Sequence, residues 1–232
     1  MTHRFFEGDG KMINVAIDGP AGAGKSTISK AAAKELGFIY IDTGALYRTV
    51  GLNAMRKKAD LESEESIEKT LTKDLSVELR FIDGEQRMFL NGEDVSLSIR
   101  TPEASMAASK VSAVPAVRKY LFDLQKKLAK ENDCIMDGRD IGTVVLPDAK
   151  VKIFLTASPE SRAKRRFDEL LEKGMDVKFE DVLADMKQRD YNDSHRAIAP
   201  LKPAEDAILL DTSGFELEKS VALIVKTIKE NI

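Results

Sequence analysis

Between an apolar run, Ile13-Asn14-Val15-Ala16-Ile17, and a stretch of helical character lie eight residues, Gly19-Pro20-Ala21-Gly22-Ala23-Gly24-Lys25-Ser26, that satisfy the pattern G-x-x-x-x-G-K-[ST]. A strand before the pattern and a helix after it are the setting in which it forms a phosphate-binding loop. Glycines let successive backbone N–H groups turn inward without a Cβ clash, giving a concave nest of donors for an anion. The helix that opens at the loop adds the positive end of its dipole. Lys25 brings a compact charge to the outer phosphates, and the Ser26 hydroxyl suits a magnesium ion. These features imply a nucleoside triphosphate site made by Gly19, Pro20, Ala21, Gly22, Ala23, Gly24, Lys25, Ser26 and Thr27.

Composition narrows the partners. The chain has 232 residues, 43% of them hydrophobic, enough for a sizeable core. Its 36 Lys and Arg against 39 Asp and Glu leave a formal net charge of −3, so any anion-binding surface is local. No nucleic-acid or membrane partner is expected. The longest apolar runs fall short of the roughly 18 residues a spanning helix needs, and the start of the chain has no secretory h-region. The single cysteine, Cys134, cannot form an internal disulfide, which fits a cytoplasmic protein with a small buried thiol. Residues 1–11 precede a second methionine, Met12, and are expected to be a flexible extension outside the fold, which removes weight from His3.

Strand-length apolar runs alternate with helical patterns, which predicts an α/β fold with a five-stranded parallel sheet flanked by helices. The strands are expected at Ile13 to Asp18, Phe38 to Asp42, Cys134 to Asp137, Val151 to Thr156 and Ala207 to Asp211. Helices are expected from Lys25 to Leu36, stopped by Gly37, and from about Leu217 to Lys229 with Val221, Ile224, Val225 and Ile228 on one face. A third begins at Ser158-Pro159-Glu160. From Leu75 to Ile99 the period changes to two, punctuated by Asp83-Gly84 and Asn91-Gly92, hairpin signals that predict an antiparallel insert of about three strands. The expected organisation is a phosphate-loop core over 12–63 and 106–232, an inserted subdomain over 64–105, and a helical lid over 158–196.

Arginines recur beyond the loop at positions 48, 100, 118, 139, 189 and 196. Their planar forks suit phosphate, and a phosphoryl group passing between two nucleotides needs cations on both sides. Here the sequence resembles the bacterial cytidylate kinases, CMP and dCMP kinases of the nucleoside monophosphate kinase group, from about Ile13 to Ile228. The likeness is carried by Asp18 to Thr27, Asp42-Thr43-Gly44-Ala45-Leu46-Tyr47-Arg48, Gly92-Glu93-Asp94-Val95-Ser96 and Ile99-Arg100-Thr101. It continues through Asp137-Gly138-Arg139-Asp140-Ile141-Gly142-Thr143-Val144-Val145, Pro147-Asp148-Ala149 and Arg196-Ala197-Ile198-Ala199-Pro200-Leu201. The Gly138 to Thr143 run together with the insert is far more selective than the loop alone.

The resemblance implies transfer of the ATP γ-phosphoryl group, with Mg2+, to CMP or dCMP by a cytoplasmic monomer. It implies CMP contacts from Thr43, Tyr47, Arg48, Ser109, Arg118, Asp140, Arg189 and Asp193, and lid contacts to ATP from Arg162 and Arg166. The family more often has serine where Thr43 stands; the hydroxyl is kept. Lys25, Arg139, Arg189 and Arg196 would stabilise the transferred group, and Ser26, with Asp137, would hold the metal. Cytosine presents an amino donor at N4 and an acceptor at N3, so a carboxylate and an arginine, Asp140 and Arg118, would fit it and oppose uracil. His195, among charged and polar neighbours, reads as a solvated side chain. Two other readings stay open: another small-molecule kinase on this core, such as an adenylate, shikimate or dephospho-coenzyme A kinase, and a non-catalytic nucleotide-binding regulator.

Overall fold

The computed structural model describes residues 12–172 and 174–232; the expected extension over 1–11 lies outside the described residues. The chain divides into two compact units, one of residues 12–40 and 129–232 and one of Ile41–Leu128.

The first unit is built on parallel strands. Strands β1 (Asn14–Asp18), β2 (Ile39–Asp42), β6 (Cys134–Gly138), β7 (Val151–Thr156) and β8 (Ile208–Asp211) lie in the order β2-β6-β1-β7-β8, where β3 to β5 belong to the second unit. β1 runs parallel to β6 and β7, and β7 parallel to β8. All five strand positions expected from the apolar runs are occupied, with ends shifted by one residue at most. The central strands are continuously apolar because helices cover both faces: Val15, Ala16, Ile17, Cys134, Ile135 and Met136 are fully buried. Helices α1 (Lys25–Leu36) and α8 (Leu217–Asn231) share one core with them, Ile28, Ala32 and Leu36 meeting Ile224, Val225 and Ile228 over Ile153 and Leu155. Each such side chain contributes about 1.5–3 kcal/mol through burial. α1 stops where expected, at Gly37, which adopts a left-handed conformation and returns its N–H to Ala33.

Two further helices of this unit, α6 (Pro159–Glu172) and α7 (Phe179–His195), form a hairpin with a small core of its own, Ala163, Leu170, Val182 and Met186, closed by an edge-to-face contact of Phe167 and Phe179. Ser158 caps α6, its hydroxyl accepting from the Ser161 N–H at 3.2 Å.

In the second unit, helices α2 (Thr43–Arg56), α3 (Glu64–Glu68), α4 (Pro102–Val111) and most of α5 (Pro115–Glu131) surround a three-stranded antiparallel sheet of β3 (Val77–Ile82), β4 (Glu85–Leu90) and β5 (Glu93–Asp94). The turns fall at the foreseen dipeptides. Asp83 and Gly84 have φ of 53° and 77°, Asn91 and Gly92 50° and 85°, the doubly left-handed backbone that matches the twist of paired strands. So small a sheet has no independent core. Val77, Met88 and Leu90 pack instead with Leu46 and Val50 of α2 and Val117 and Leu121 of α5, and the compact unit accordingly encloses the 64–105 segment together with flanking helices.

Candidate active site

The phosphate loop leaves the carboxyl end of β1, where ligands of open parallel sheets bind. Gly19 has φ of 150°, and a Cβ there would lie 1.9 Å from the Leu155 carbonyl oxygen, so only glycine lets the loop pass β7. Gly22, at φ 71°, would drive a Cβ into Met186 of α7, 2.3 Å away. Gly24 supplies the left-handed residue at which α1 begins. Lys25 is buried and its Nζ donates to the Pro20 carbonyl at 2.7 Å. Burial, and then the Arg139 guanidinium nearby, pull its pKa from 10.5 down to about 7. Such a lysine is held in readiness for an anion.

Beside the loop the Ser26 hydroxyl donates to Asp137 Oδ2 at 3.0 Å, and the Tyr40 hydroxyl donates to Asp137 Oδ1 at 2.9 Å. A hydroxyl and a carboxylate are the hard oxygen donors magnesium prefers, and the pair is set at the head of α1 with Asp137 buried at the end of β6. Tyr40, which the sequence reading passed over, fixes the carboxylate from its other side.

After β6 the chain makes a single π turn, Ile141–Val145, in which the Leu146 N–H reaches back five residues to the Ile141 carbonyl. Turns of this kind are rare and concentrate at functional sites. Arg139 and Asp140 stand at its entrance. Arg139 Nε donates to Asp193 of α7 at 2.8 Å, while Asp140, buried, accepts from Arg196 Nη2 at 3.1 Å. Arg189 is also on α7, within electrostatic reach of Arg139 and Asp193. Arg139, Asp140, Arg189, Asp193 and Arg196 are thus brought together in the first unit, and Lys25 lies within the field of Arg139, Asp137, Asp18 and Asp193.

The lid arginines differ from one another. Arg162 is 3% exposed and fully engaged: it donates to the Ala157 and Ala21 carbonyls, each at 2.9 Å, and forms a two-pronged pair with Asp190 at 3.1 and 2.5 Å. Arg166 is half-buried and pairs with Glu169 at 3.1 Å. Their neighbour Arg165 donates to the Thr212 carbonyl at 2.9 Å and approaches the loop at Ala23. His195 is exposed and stacked on Tyr191.

Within the second unit, Asp42 caps α2 by accepting the Ala45 N–H at 2.9 Å and pairs with Arg48 at 2.7 Å. Arg48 keeps a buried Nε with no hydrogen-bond partner among the described residues, where buried donors are ordinarily satisfied. Thr43 is buried at the first turn of α2, and Tyr47 stands one turn on, beneath the Arg118 guanidinium at 6.0 Å. Arg118 is buried and donates to the Ser112 carbonyl at 3.4 Å; Ser109 is half-buried on α4.

A parallel sheet whose first strand runs into a glycine loop with a buried lysine, and a serine–aspartate pair beside it, defines a phosphate-loop nucleotide-binding protein. The fold is shared with an uncharacterised protein from Eubacterium ventriosum, 16% identical, which matches 95% of this chain and 99% of its own with a TM-score of 0.53. The cytidylate kinase family profile matches residues 15–230, and the chain belongs to that family. Similar relatives include the cytidylate kinases of Caldicellulosiruptor bescii, 50% identical over 96% of this chain and 100% of theirs, and of Lactobacillus gasseri, 50% identical over 94% and 95%.

Proposed function

We propose that this nucleoside monophosphate kinase transfers the γ-phosphoryl group of ATP to CMP or dCMP, giving ADP and CDP or dCDP. The observation that carries the reading is the gathering of Lys25 and Arg189 about Arg139, each within its electrostatic reach. Cations so close repel one another, and their proximity is stabilised when a polyanion lies among them. Phosphoryl transfer asks for such positioning and neutralisation rather than for a strong base. The acceptor phosphate is itself the nucleophile.

In this reading the loop from Gly19 to Thr27 holds the ATP phosphates, Lys25 moves from the Pro20 carbonyl to the transferred group, and Arg166 meets ATP from the lid. Magnesium would be held by Ser26 and Asp137, where it offsets charge on the donor phosphates. For the acceptor, Thr43, Tyr47, Arg48 and Ser109 are the CMP contacts the family resemblance implies, with the Arg48 Nε suited to the phosphate. Arg118 donates to cytosine N3, and Asp140 accepts from the N4 amino group. Arg189 and Asp193 complete the set from α7. Arg162, with its fork already occupied, acts on ATP by holding the loop. The enzyme works as a cytoplasmic monomer without a nucleic-acid partner.

Purified protein incubated with ATP, Mg2+ and a panel of CMP, dCMP, UMP and AMP tests the reading. CMP and dCMP are expected to give diphosphates far faster than UMP or AMP; absence of CDP overturns it.

A further inference from the structure

A helix that begins on a capping box satisfies two orphan N–H groups at once. The cap's side chain accepts the N–H three residues on, and a Glu or Gln at that third position reaches back to the N–H of the cap. Helix α2 holds only the first half of this device. Asp42 accepts the Ala45 N–H on Oδ1 at 2.9 Å, but alanine has no side chain with which to answer. The answering group comes from the inserted sheet, 44 residues later: Gln86 of β4 accepts the Asp42 N–H on Oε1 at 2.9 Å.

The Asp42 carboxylate has a second task. Its Oδ2 accepts from Arg48 Nη2 at 2.7 Å, which folds the guanidinium back over the first turn of α2. That is the positive end of the helix dipole, where a cation is disfavoured without a counter-charge. The packing there is close: a Cβ on Gly44 would lie 3.0 Å from Asp42 Oδ1 and 3.1 Å from Arg48 Nη1. The direction of Arg48 thus depends on one carboxylate, and the backbone that carries this carboxylate is anchored by Gln86.

We propose that Gln86 is a positioning residue for the acceptor phosphate: by completing the cap of α2 from the inserted sheet, it fixes Asp42 and through it aims Arg48. The inference rests on the reading of Arg48 as a contact to CMP. It gives the insert a part in acceptor binding that requires no contact of its own with the nucleotide. Without the Gln86 acceptor the Asp42 backbone loses its anchor, the carboxylate loosens its hold, and the guanidinium moves away from the helix end that repels it.

The test is calorimetric binding of CMP and of ATP to Gln86→Leu, Arg48→Leu and the double variant. Gln86→Leu is expected to raise Kd for CMP about fivefold, the effect of one lost hydrogen bond, and to leave Kd for ATP within about twofold. Arg48→Leu is expected to raise Kd for CMP by about tenfold or more. In that background Gln86→Leu is expected to add less than about twofold, because the side chain it aims is gone. An unchanged Kd for CMP in Gln86→Leu, or a loss that persists undiminished in the Arg48→Leu background, overturns the proposal. The second of these is what a merely structural tie between β4 and α2 would give. An unchanged Kd for CMP in Arg48→Leu overturns the parent reading of Arg48, and the proposal with it. If Gln86→Leu does not fold, Gln86→Met, nearer in shape to glutamine, carries the same expectations.

Discussion

Lys25 shows how burial turns a strong base into a responsive one. With its pKa near 7 in the ligand-free loop against 10.5 in the unfolded chain, it binds fewer protons folded than unfolded across that interval, so its contribution to stability rises with pH from about 7 towards 10.5. Asp18 is pushed by burial, against its bonds from the Ile141 and Gly142 N–H groups, from 3.8 up to about 6, so the folded state there binds more protons and its contribution falls as pH rises from 3.8 to 6. A triphosphate beside Lys25 restores its proton. ATP binding at pH 8 is therefore expected to take up close to one proton, seen by calorimetry as a dependence of the heat on the buffer's ionisation enthalpy; Lys25→Arg, always charged, abolishes it. Lys25→Ala is expected to lower turnover about 10³-fold with an unchanged circular dichroism spectrum, because the transferred group loses its cation and the core loses nothing. Arg118→Met is expected to raise KM for CMP at least tenfold and leave ATP binding within threefold, a split that separate titrations of the two nucleotides read directly.

The α6–α7 hairpin is tied to the phosphate loop by Arg162 and by Met186 over Gly22. Asp190→Asn leaves the Arg162 guanidinium buried without its counter-charge and is expected to cost about 2 kcal/mol, at the low end for such pairs because Asp190 is one-quarter exposed. Thermal denaturation would show this as a fall in Tm of about 4–8 °C. The lid reading of 158–196 predicts slower hydrogen exchange there when ATP and CMP are both bound than with either alone, since an open site would hydrolyse ATP; equal exchange in all three states counts against a lid. The strands and the two hairpin turns were legible in the sequence because their signals are local: an unbroken apolar run for a strand covered on both faces, Asp-Gly and Asn-Gly for a left-handed turn. The π turn was not legible. It depends on a carboxylate more than 120 residues earlier in the chain, and no window of neighbouring residues contains that partner.

For the protein taken entire, both nucleotides bind the native state alone, so each should stabilise it by mass action. At a concentration a hundred times its Kd, CMP is expected to add about 2.7 kcal/mol, a rise in Tm of several degrees, and UMP at equal concentration much less. In the proposed reading UMP is disfavoured because its N3 donor and O4 acceptor oppose groups set for cytosine's N3 acceptor and N4 donor.

Sequence alone determined the nucleotide site's core, since Gly19 to Ser26 must be contiguous to curl around a phosphate, and it determined the strand and hairpin plan, since periodicity is written residue by residue. Tertiary structure alone decided what each charged side chain does. Arg162, Arg165 and Arg166 lie within five residues of one another, yet one is buried in a clasp with Asp190, one donates to backbone carbonyls, and one is half-buried against Glu169. A guanidinium's role follows from the carboxylates and carbonyls the fold brings within about 3 Å, and those partners are distant in the chain.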